Sequence, residues 1–441
     1  MNNTPRQFLK YKRPSRNQVE FTTQAIDDLI PENHRARDVW EFVEKMDTDP
    51  CFNRIKSLVF GSGRAATSPE VLFALWLYSI IDGNISGRKI VELCQHHDAY
   101  KWIAGGLPVN RTMINDFRSK DPLMFDKLLT NCLAVMIKSG LISEDTISQD
   151  GTKVKASAGW NTYRREKTVL ELQKDAKNHI KSLEEEFKRN PKIYSERKKA
   201  AQKRAAKERF DKVNQALEAI EEQREVKKIR RKKNKSSAPT DEELKNIRGS
   251  VADPDAIRMK MGDGGFRIAH NIQFATGADS RVIYGVIAGN ELDPSTLPDL
   301  MLQVHRRAND LKLNTFKNWL ADSAYSSKEN IDFIGNTFPD CTLYSPPQVI
   351  KKADPKVVRK NDSEHVIAWR NRLDSEEMKE IYPKRGSTAE FSNAQVKNHG
   401  MTKFLVRDRR KVFGASCLHA ISHNLQRYWN LLTHKKLFAE A

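Results

Sequence analysis

The spacing of apolar residues along the chain changes character twice. From residue 1 to about 140 it is helical. "RDVWEFVEKM" (37–46) places apolar side chains three and four apart. "SPEVLFALWLYSII" (68–81) offers Ser68 as N-cap and Pro69 at the first helical position, where the fixed φ and missing N–H of proline do no harm. "SGRKIVELCQHH" (86–97) and "NRTMINDFRSK" (110–120) predict two more helices, each preceded by turn residues. Short helices in series, with "GGLPVNR" before the last, fit a helix-turn-helix arrangement. They fit a small bundle that merely packs equally well.

Residues 165–248 are rich in Lys, Glu, Ala and Arg and poor in glycine. Val169, Leu172, Ile180, Leu183 and Phe187 recur among the charges, which predicts a helical hairpin or short coiled coil inserted into another domain. "NKSSAPTDEE" closes it as a loop. Beyond it the period becomes that of a strand. "FRIAHNIQFA" (266–275) sets Phe266, Ile268, Ile272 and Phe274 on one face, "TGADS" turns, and "RVIYGVIA" (281–288) returns as a hairpin. Asp293 is the predicted N-cap of the helix that follows. "NWLAD" (318–322) is a strand ending in acid, and "SSKENIDFIGN" (326–336) a helix stopped by glycine. "CTLYSPP" (341–347) is a strand stopped by two prolines, and a basic stretch runs on to 385. "STAEFSNAQVKNHG" (387–400) is a helix closed by Gly400, and a last helix covers about 415–433. With a first strand ending at Asp150, the order is strand, hairpin, helix, strand, helix, strand, helix. That predicts an α/β fold: a mixed sheet flanked by helices, an N-terminal all-helical domain (1–140), a sheet domain made of 141–165 and 249–433, and a charged helical insertion (166–248).

Charge narrows the partners. The chain carries 76 Lys and Arg against 57 Asp and Glu, a net +19 over 441 residues. Such an excess favours a polyanion, nucleic acid before an anionic membrane. The longest apolar run, "VLFALWLYSII", is about half the roughly 20 residues that span a bilayer. "MNNTPRQFLKYKRPSR" has no apolar core behind its charges, so no secretory leader is expected in it. Cysteines 51, 94, 132, 341 and 417 are scattered, which argues against a disulfide framework or zinc site and fits a reducing cytoplasm. Residues 161–250 hold 27 basic and 16 acidic residues. Most of that reads as a solvated helix face. "KKIRRKKNK" (227–235), nine residues without an acid, is a concentrated attraction for phosphate.

Against that basic background three acids stand out. Asp150 and Asp322 end strands, and Glu390 lies early in the helix after the last strand. Strand ends converge on one edge of an α/β sheet, and a following helix lays a side chain across it. Three carboxylates so placed repel unless a hard divalent cation joins them, and oxygen-only ligands suit Mg²⁺ or Mn²⁺. Two such ions about 3.5–4 Å apart serve in-line phosphoryl transfer. Each acid has a plainer reading. Asp150-Gly151 is a common turn dipeptide, Asp322 a helix cap, and Glu390 a favourable charge at a helix N-terminus.

"YPKRGSTAEFSNAQVK" (382–397) resembles the signature of the DDE transposases of bacterial insertion sequences, in the branch with Tyr-Arg-Glu-Lys around the third acid. In that branch two residues separate Tyr from Arg, three Arg from Glu, and six Glu from Lys. Tyr382 and Arg385 keep the first spacing, Glu390 and Lys397 the last, and four residues lie between Arg385 and Glu390. "SQDGTKVKASAG", "WLADSAYSSKENIDFI", residues 251–293 and residues 60–94 resemble other stretches of the family in the same order. The resemblance implies an RNase H-like catalytic core, with two Mg²⁺ or Mn²⁺ ions held by Asp150, Asp322 and Glu390. It implies metal-dependent cleavage at terminal inverted repeats and joining of the freed ends to target DNA. Tyr382, Arg385 and Lys397 would contact phosphates of double-stranded DNA, and Lys153 and Lys155 are further candidates. It implies a homo-oligomer on DNA, no membrane, and a cytoplasmic, nucleoid-associated protein. The alternatives are a non-catalytic DNA-binding derivative and another RNase H-like nuclease.

Overall fold

The computed structural model describes residues 23–55, 65–189, 194–233, 237–289, 293–348 and 354–439. Its N-terminal region is helical: α1 Arg35–Lys45, α2 Asp49–Phe52, α3 Pro69–Ile81, α4 Gly87–His96, α5 Asp98–Ala104, α6 Arg111–Lys120 and α7 Met124–Lys138. Ser68 caps α3 as its sequence predicts, accepting from the Glu70 N–H, with Pro69 in the first turn. Every residue of α3 except Glu70 is buried. A helix apolar on all sides is a core helix, and α3 is the centre of this bundle.

The sheet begins with β1, Thr146–Lys155. A short ribbon follows, β2 Tyr163–Arg165 paired with β3 Arg248–Ser250, and between its strands run α8 Glu166–Arg189, α9 Glu196–Lys233 and α10 Asp241–Lys245. The rest is β4 Ile257–Lys260, β5 Phe266–Gly277, β6 Ile283–Gly289, α11 Leu297–Asp310, β7 Asn318–Leu320, α12 Lys328–Thr337, β8 Thr342–Tyr344, α13 Glu364–Arg372, α14 Glu376–Ile381, α15 Phe391–Asn398 and α16 Arg409–Ala439. β1 pairs antiparallel with β5 and parallel with β7, and β7 parallel with β8. β4 and β6 pair with successive parts of β5 on the edge that β1 leaves. The fold is α/β, a mixed sheet flanked by helices behind an N-terminal helical region.

The core is continuous from Ile30 to Tyr428. α16 packs on α3, α6, α7 and β6, so the C-terminal helix joins the N-terminal bundle to the sheet. A second tie is Arg307 on α11. It bonds Asp126 and Thr130 on α7 and the Tyr284 carbonyl on β6.

The charged segment is an antiparallel helical pair. Val169 packs with Val213, Ala216 and Ile220, and further out Leu183 and Phe187 pack with Ala206. Arg224 grips Glu166 through two bonds of 2.8 and 2.6 Å, closing the base of the hairpin. At roughly 1.5 Å per residue, α9 reaches about 57 Å. The run 227–235 is less bare than its sequence suggests. Arg231 and Lys227 pair with Glu243 of α10, and Lys228 with Glu225. Residues 234 and 235 lie outside the described residues.

Several elements differ from expectation, each for a local reason. β1 does not stop at Asp150, because β5 pairs with it through Lys155; the turn reading of Asp150-Gly151 falls with it. β5 is buried on both faces from Ile268 onward, its polar positions included. His270, for instance, meets Asp253 at 3.0 Å with both side chains fully buried. Asp293 lies in a 3₁₀ turn, and Thr296 precedes α11 instead. Gly335 does not end α12: it lets α13 approach, since a Cβ there would strike the His365 ring. The predicted loop 234–243 holds the start of α10, where Thr240 and Glu243 form a capping box. The basic stretch before 385 contains α13 and α14, and α16 is longer at both ends than 415–433.

Candidate active site

Parallel pairing of β1 with β7 sets Ser148 opposite Leu320. Carrying that register two residues on, past the end of β7, brings Asp150 beside Asp322. Both then face the same side of the sheet, because strand side chains alternate with period two. The edge beyond the ends of parallel strands is where α/β sheets place their sites. Asp322 is held in its turn. Its Oδ1 accepts from the Ala324 N–H at 2.8 Å, and its carbonyl accepts from Ser345 Oγ at 2.6 Å. Trp369 of α13 in turn donates to the Ser345 carbonyl at 3.1 Å.

One cation spans the two aspartates. Arg385 Nη2 lies 3.2 Å from Asp150 Oδ1 and 3.9 Å from Asp322 Oδ2. Asn393 Nδ2 donates to the other Asp150 oxygen at 3.0 Å. Sequence reasoning assigns the counter-charge for these acids to metal; here a guanidinium supplies it. Tyr382 lies on the same side, in a small apolar cluster with Leu320, Tyr344 and Met378. Burial pushes its hydroxyl pKa up, the Asp322 and Asp150 carboxylates add to the rise, and Arg385 opposes it.

The extra residue between Arg385 and Glu390 has a structural counterpart. Gly386–Glu390 forms a π-helical turn, and the Thr388 hydroxyl bonds the Lys384 carbonyl at 2.8 Å. A π-turn absorbs one inserted residue. It therefore sets Glu390 over Arg385 much as a four-residue step would in an α-helix. Glu390 itself is exposed. Asn393 and Lys397 follow it by three and seven residues, so the three share one helix face, with Asn393 touching Asp150. Among the described residues no three His, Cys, Asp or Glu side chains form a group able to hold a metal. The structure thus joins Asp150, Asp322 and Arg385, while Glu390, one turn before Asn393 on its helix, is exposed and forms no three-acid group with them among the described residues. Lys153 and Lys155 are exposed, but alternation turns them to the face of β1 opposite Asp150.

Sequence reasoning did not find Asn393, nor the buried network behind the site. Trp319 Nε1 donates to Gln149 Oε1 at 3.0 Å, and the Tyr325 hydroxyl donates to Gln273 Oε1 at 2.5 Å. Gln149 and Gln273 are fully buried. They lock β1, β5 and β7 beneath the aspartates. The available signal is polar residues within strands that are otherwise apolar.

The described residues contain no helix long and apolar enough to cross a membrane. All five cysteines are free thiols, four of them buried. Comparison with known families gives two matches. Residues 24–120 match a transposase domain (DUF772), which covers the helices up to α6. Residues 336–429 match a transposase DDE domain, which covers Arg385, Glu390, Asn393 and Lys397. Neither a curated protein nor a solved structure matches the chain. A transposase domain in the N-terminal helices and a DDE transposase domain toward the C-terminus, on a helix-flanked mixed sheet, together support an insertion-sequence DDE transposase.

Proposed function

We propose that this transposase cleaves DNA at the terminal inverted repeats of its element and joins the freed ends to target DNA, with Asp150, Asp322 and Glu390 as its three acids. The observation that carries the reading is Arg385. A single cationic group reaches both aspartates at the sheet edge, so the two carboxylates suit a shared cation. Their hard oxygens are the donors that Mg²⁺ or Mn²⁺ prefers. Asp150 and Asp322 would hold the ions, with Glu390 from the adjoining turn. Bound there, two ions supply activation of the attacking oxygen and stabilisation of the leaving one. Asn393 fixes the carboxylate plane of Asp150. Tyr382, Arg385 and Lys397, the residues of the Tyr-Arg-Glu-Lys branch, contact backbone phosphates and hold the scissile strand in place. Lys153 and Lys155 serve DNA on the other face of β1.

In this reading residues 1–140 form a DNA-binding unit, 141–165 with 249–433 the RNase H-like catalytic unit, and 166–248 an interface or clamp. The protein works on paired ends as a homo-oligomer in the cytoplasm, at the nucleoid. The test is strand joining. A labelled duplex carrying the DNA that flanks the gene is incubated with supercoiled target and Mg²⁺. Joined product is expected. Nicking without joining would instead favour another RNase H-like nuclease.

One observation favours a second reading. Arg385 and Asn393 already satisfy Asp150, as they would in a DNA-binding derivative without chemistry. Titration of Mn²⁺ without DNA separates the two. Arg385 and a metal ion compete for the same carboxylates, so Arg385→Ala should bind Mn²⁺ about five-fold more tightly, since a partly exposed ion pair is worth up to roughly 1 kcal/mol. The same variant should lose DNA cleavage. No Mn²⁺ binding by either protein would support the derivative.

A further inference from the structure

We infer that the cleft between α4, α6 and the segment leading into α16 is a second phosphate site, which holds a backbone phosphate of the DNA duplex away from the aspartates. The inference rests on the DNA-binding reading above and adds a place and a set of residues to it.

Ser86, Arg88, Arg111, Arg118, Arg407 and Lys411 line the cleft, and among the described residues no carboxylate lines it. Three sources of positive potential meet there. The first is the N-terminus of α4, a ten-residue helix whose N-cap, Ser86, makes no capping hydrogen bond. Its first amides are therefore not taken up by that side chain, and the helix dipole adds to their pull on an anion. The second is Arg118. It is only 8% exposed, lies over the Trp76 ring at 4.4 Å and bonds the Ile85 carbonyl at 3.0 Å. Its Nε has no partner among the described residues. A buried guanidinium short of acceptors keeps its charge poorly compensated, so the Arg118 cation adds to the pull of the cleft it lines on a phosphate. Burial lowers the pKa of Arg118 to about 10, which leaves it charged at neutral pH. The third source is the exposed set Arg88, Arg111 and Arg407, the last steered by a 2.9 Å bond from its Nε to the Ser157 carbonyl.

Close approach builds the cleft. A Cβ on Gly87 would strike Asn115 Oδ1, so glycine lets α4 lie against α6. The volume, about 450 Å³, is in the range of small-ligand pockets, roughly 300–1,000 Å³. Its position favours DNA over a free anion. Ser157 lines the cleft two residues past the end of β1, and Asp150 lies seven residues back along the chain. At roughly 3.3 Å per residue that is at most about 23 Å. A single duplex, stepping about 3.4 Å per base pair, reaches both places within roughly seven steps.

The test is the salt dependence of duplex binding by the full chain, read by fluorescence anisotropy on a generic 30-base-pair DNA without divalent metal. Arg88→Gln combined with Arg111→Gln changes two exposed side chains, so the melting temperature should hold. The slope of log K against log salt should become shallower by about 0.9, the share of the one phosphate that is no longer neutralised. A matched pair outside the cleft, Lys312→Gln with Lys317→Gln, should leave the slope unchanged. An unchanged slope in the cleft variant, or an equal change in both pairs, would overturn the site while leaving DNA binding intact. No binding by the parent chain would overturn the underlying reading and the site with it.

Discussion

Asp150→Ala is expected to lower the nicking of supercoiled DNA in Mg²⁺ by at least about 10³-fold, in keeping with the loss of a side chain at the reacting centre. The fold should survive. The Asp150 side chain is 21% exposed, and its Arg385 partner is left 3.9 Å from Asp322. Partly exposed ion pairs of this kind contribute up to roughly 1 kcal/mol. Duplex affinity measured without metal should rise, by no more than about two-fold, because the lost carboxylate repelled phosphate and the freed guanidinium attracts it. Nicking at the parental rate would remove Asp150 from the chemistry. Absence of nicking in the parent as well would favour the non-catalytic derivative.

The second large effect concerns stability. Arg307→Ala should destabilise the protein by about 2–4 kcal/mol, chiefly because a buried carbonyl loses its donor, with a smaller share from the bond to the partly exposed Asp126 carboxylate. Arg307 is 3% exposed. It bonds Asp126, donates to Thr130 Oγ1 at 2.8 Å and satisfies the Tyr284 carbonyl. Its loss leaves Asp126 with Arg306 at 3.6 Å and strands a buried carbonyl on β6. Because α7, β6 and α16 share one core, the N-terminal helices and the sheet should unfold together, in one urea transition shifted to lower concentration. A loss below about 1 kcal/mol, or two separate transitions in the parent, would contradict this account of how the two regions are joined.

The sequence by itself determined the elements whose physics is local. Ser68 and Pro69 start α3 because capping and proline geometry act within a single turn. Val169, Leu183 and Phe187 announce the helical hairpin because one apolar stripe needs one partner helix. Asp150, Asp322 and the 382–397 signature were legible as residue types in order, and the matched DDE domain includes the last of these. Tertiary structure decided the rest. β1 continues past Asp150-Gly151 because pairing with β5 outweighs the turn preference of that dipeptide. Gln149, His270 and Gln273 are buried because the second face of the sheet is covered, which no period-two pattern records. Arg385 spans Asp150 and Asp322, and Asn393 orients the first; Arg385 and Asn393 each lie more than two hundred positions from Asp150. The extra residue before Glu390 breaks the spacing on paper, and a π-turn absorbs it, because helical register depends on hydrogen bonding as well as on residue count. Capping, periodicity and charge act over a few residues and can be read along the chain; burial, ion pairing and register across the sheet depend on which distant segments fold into contact.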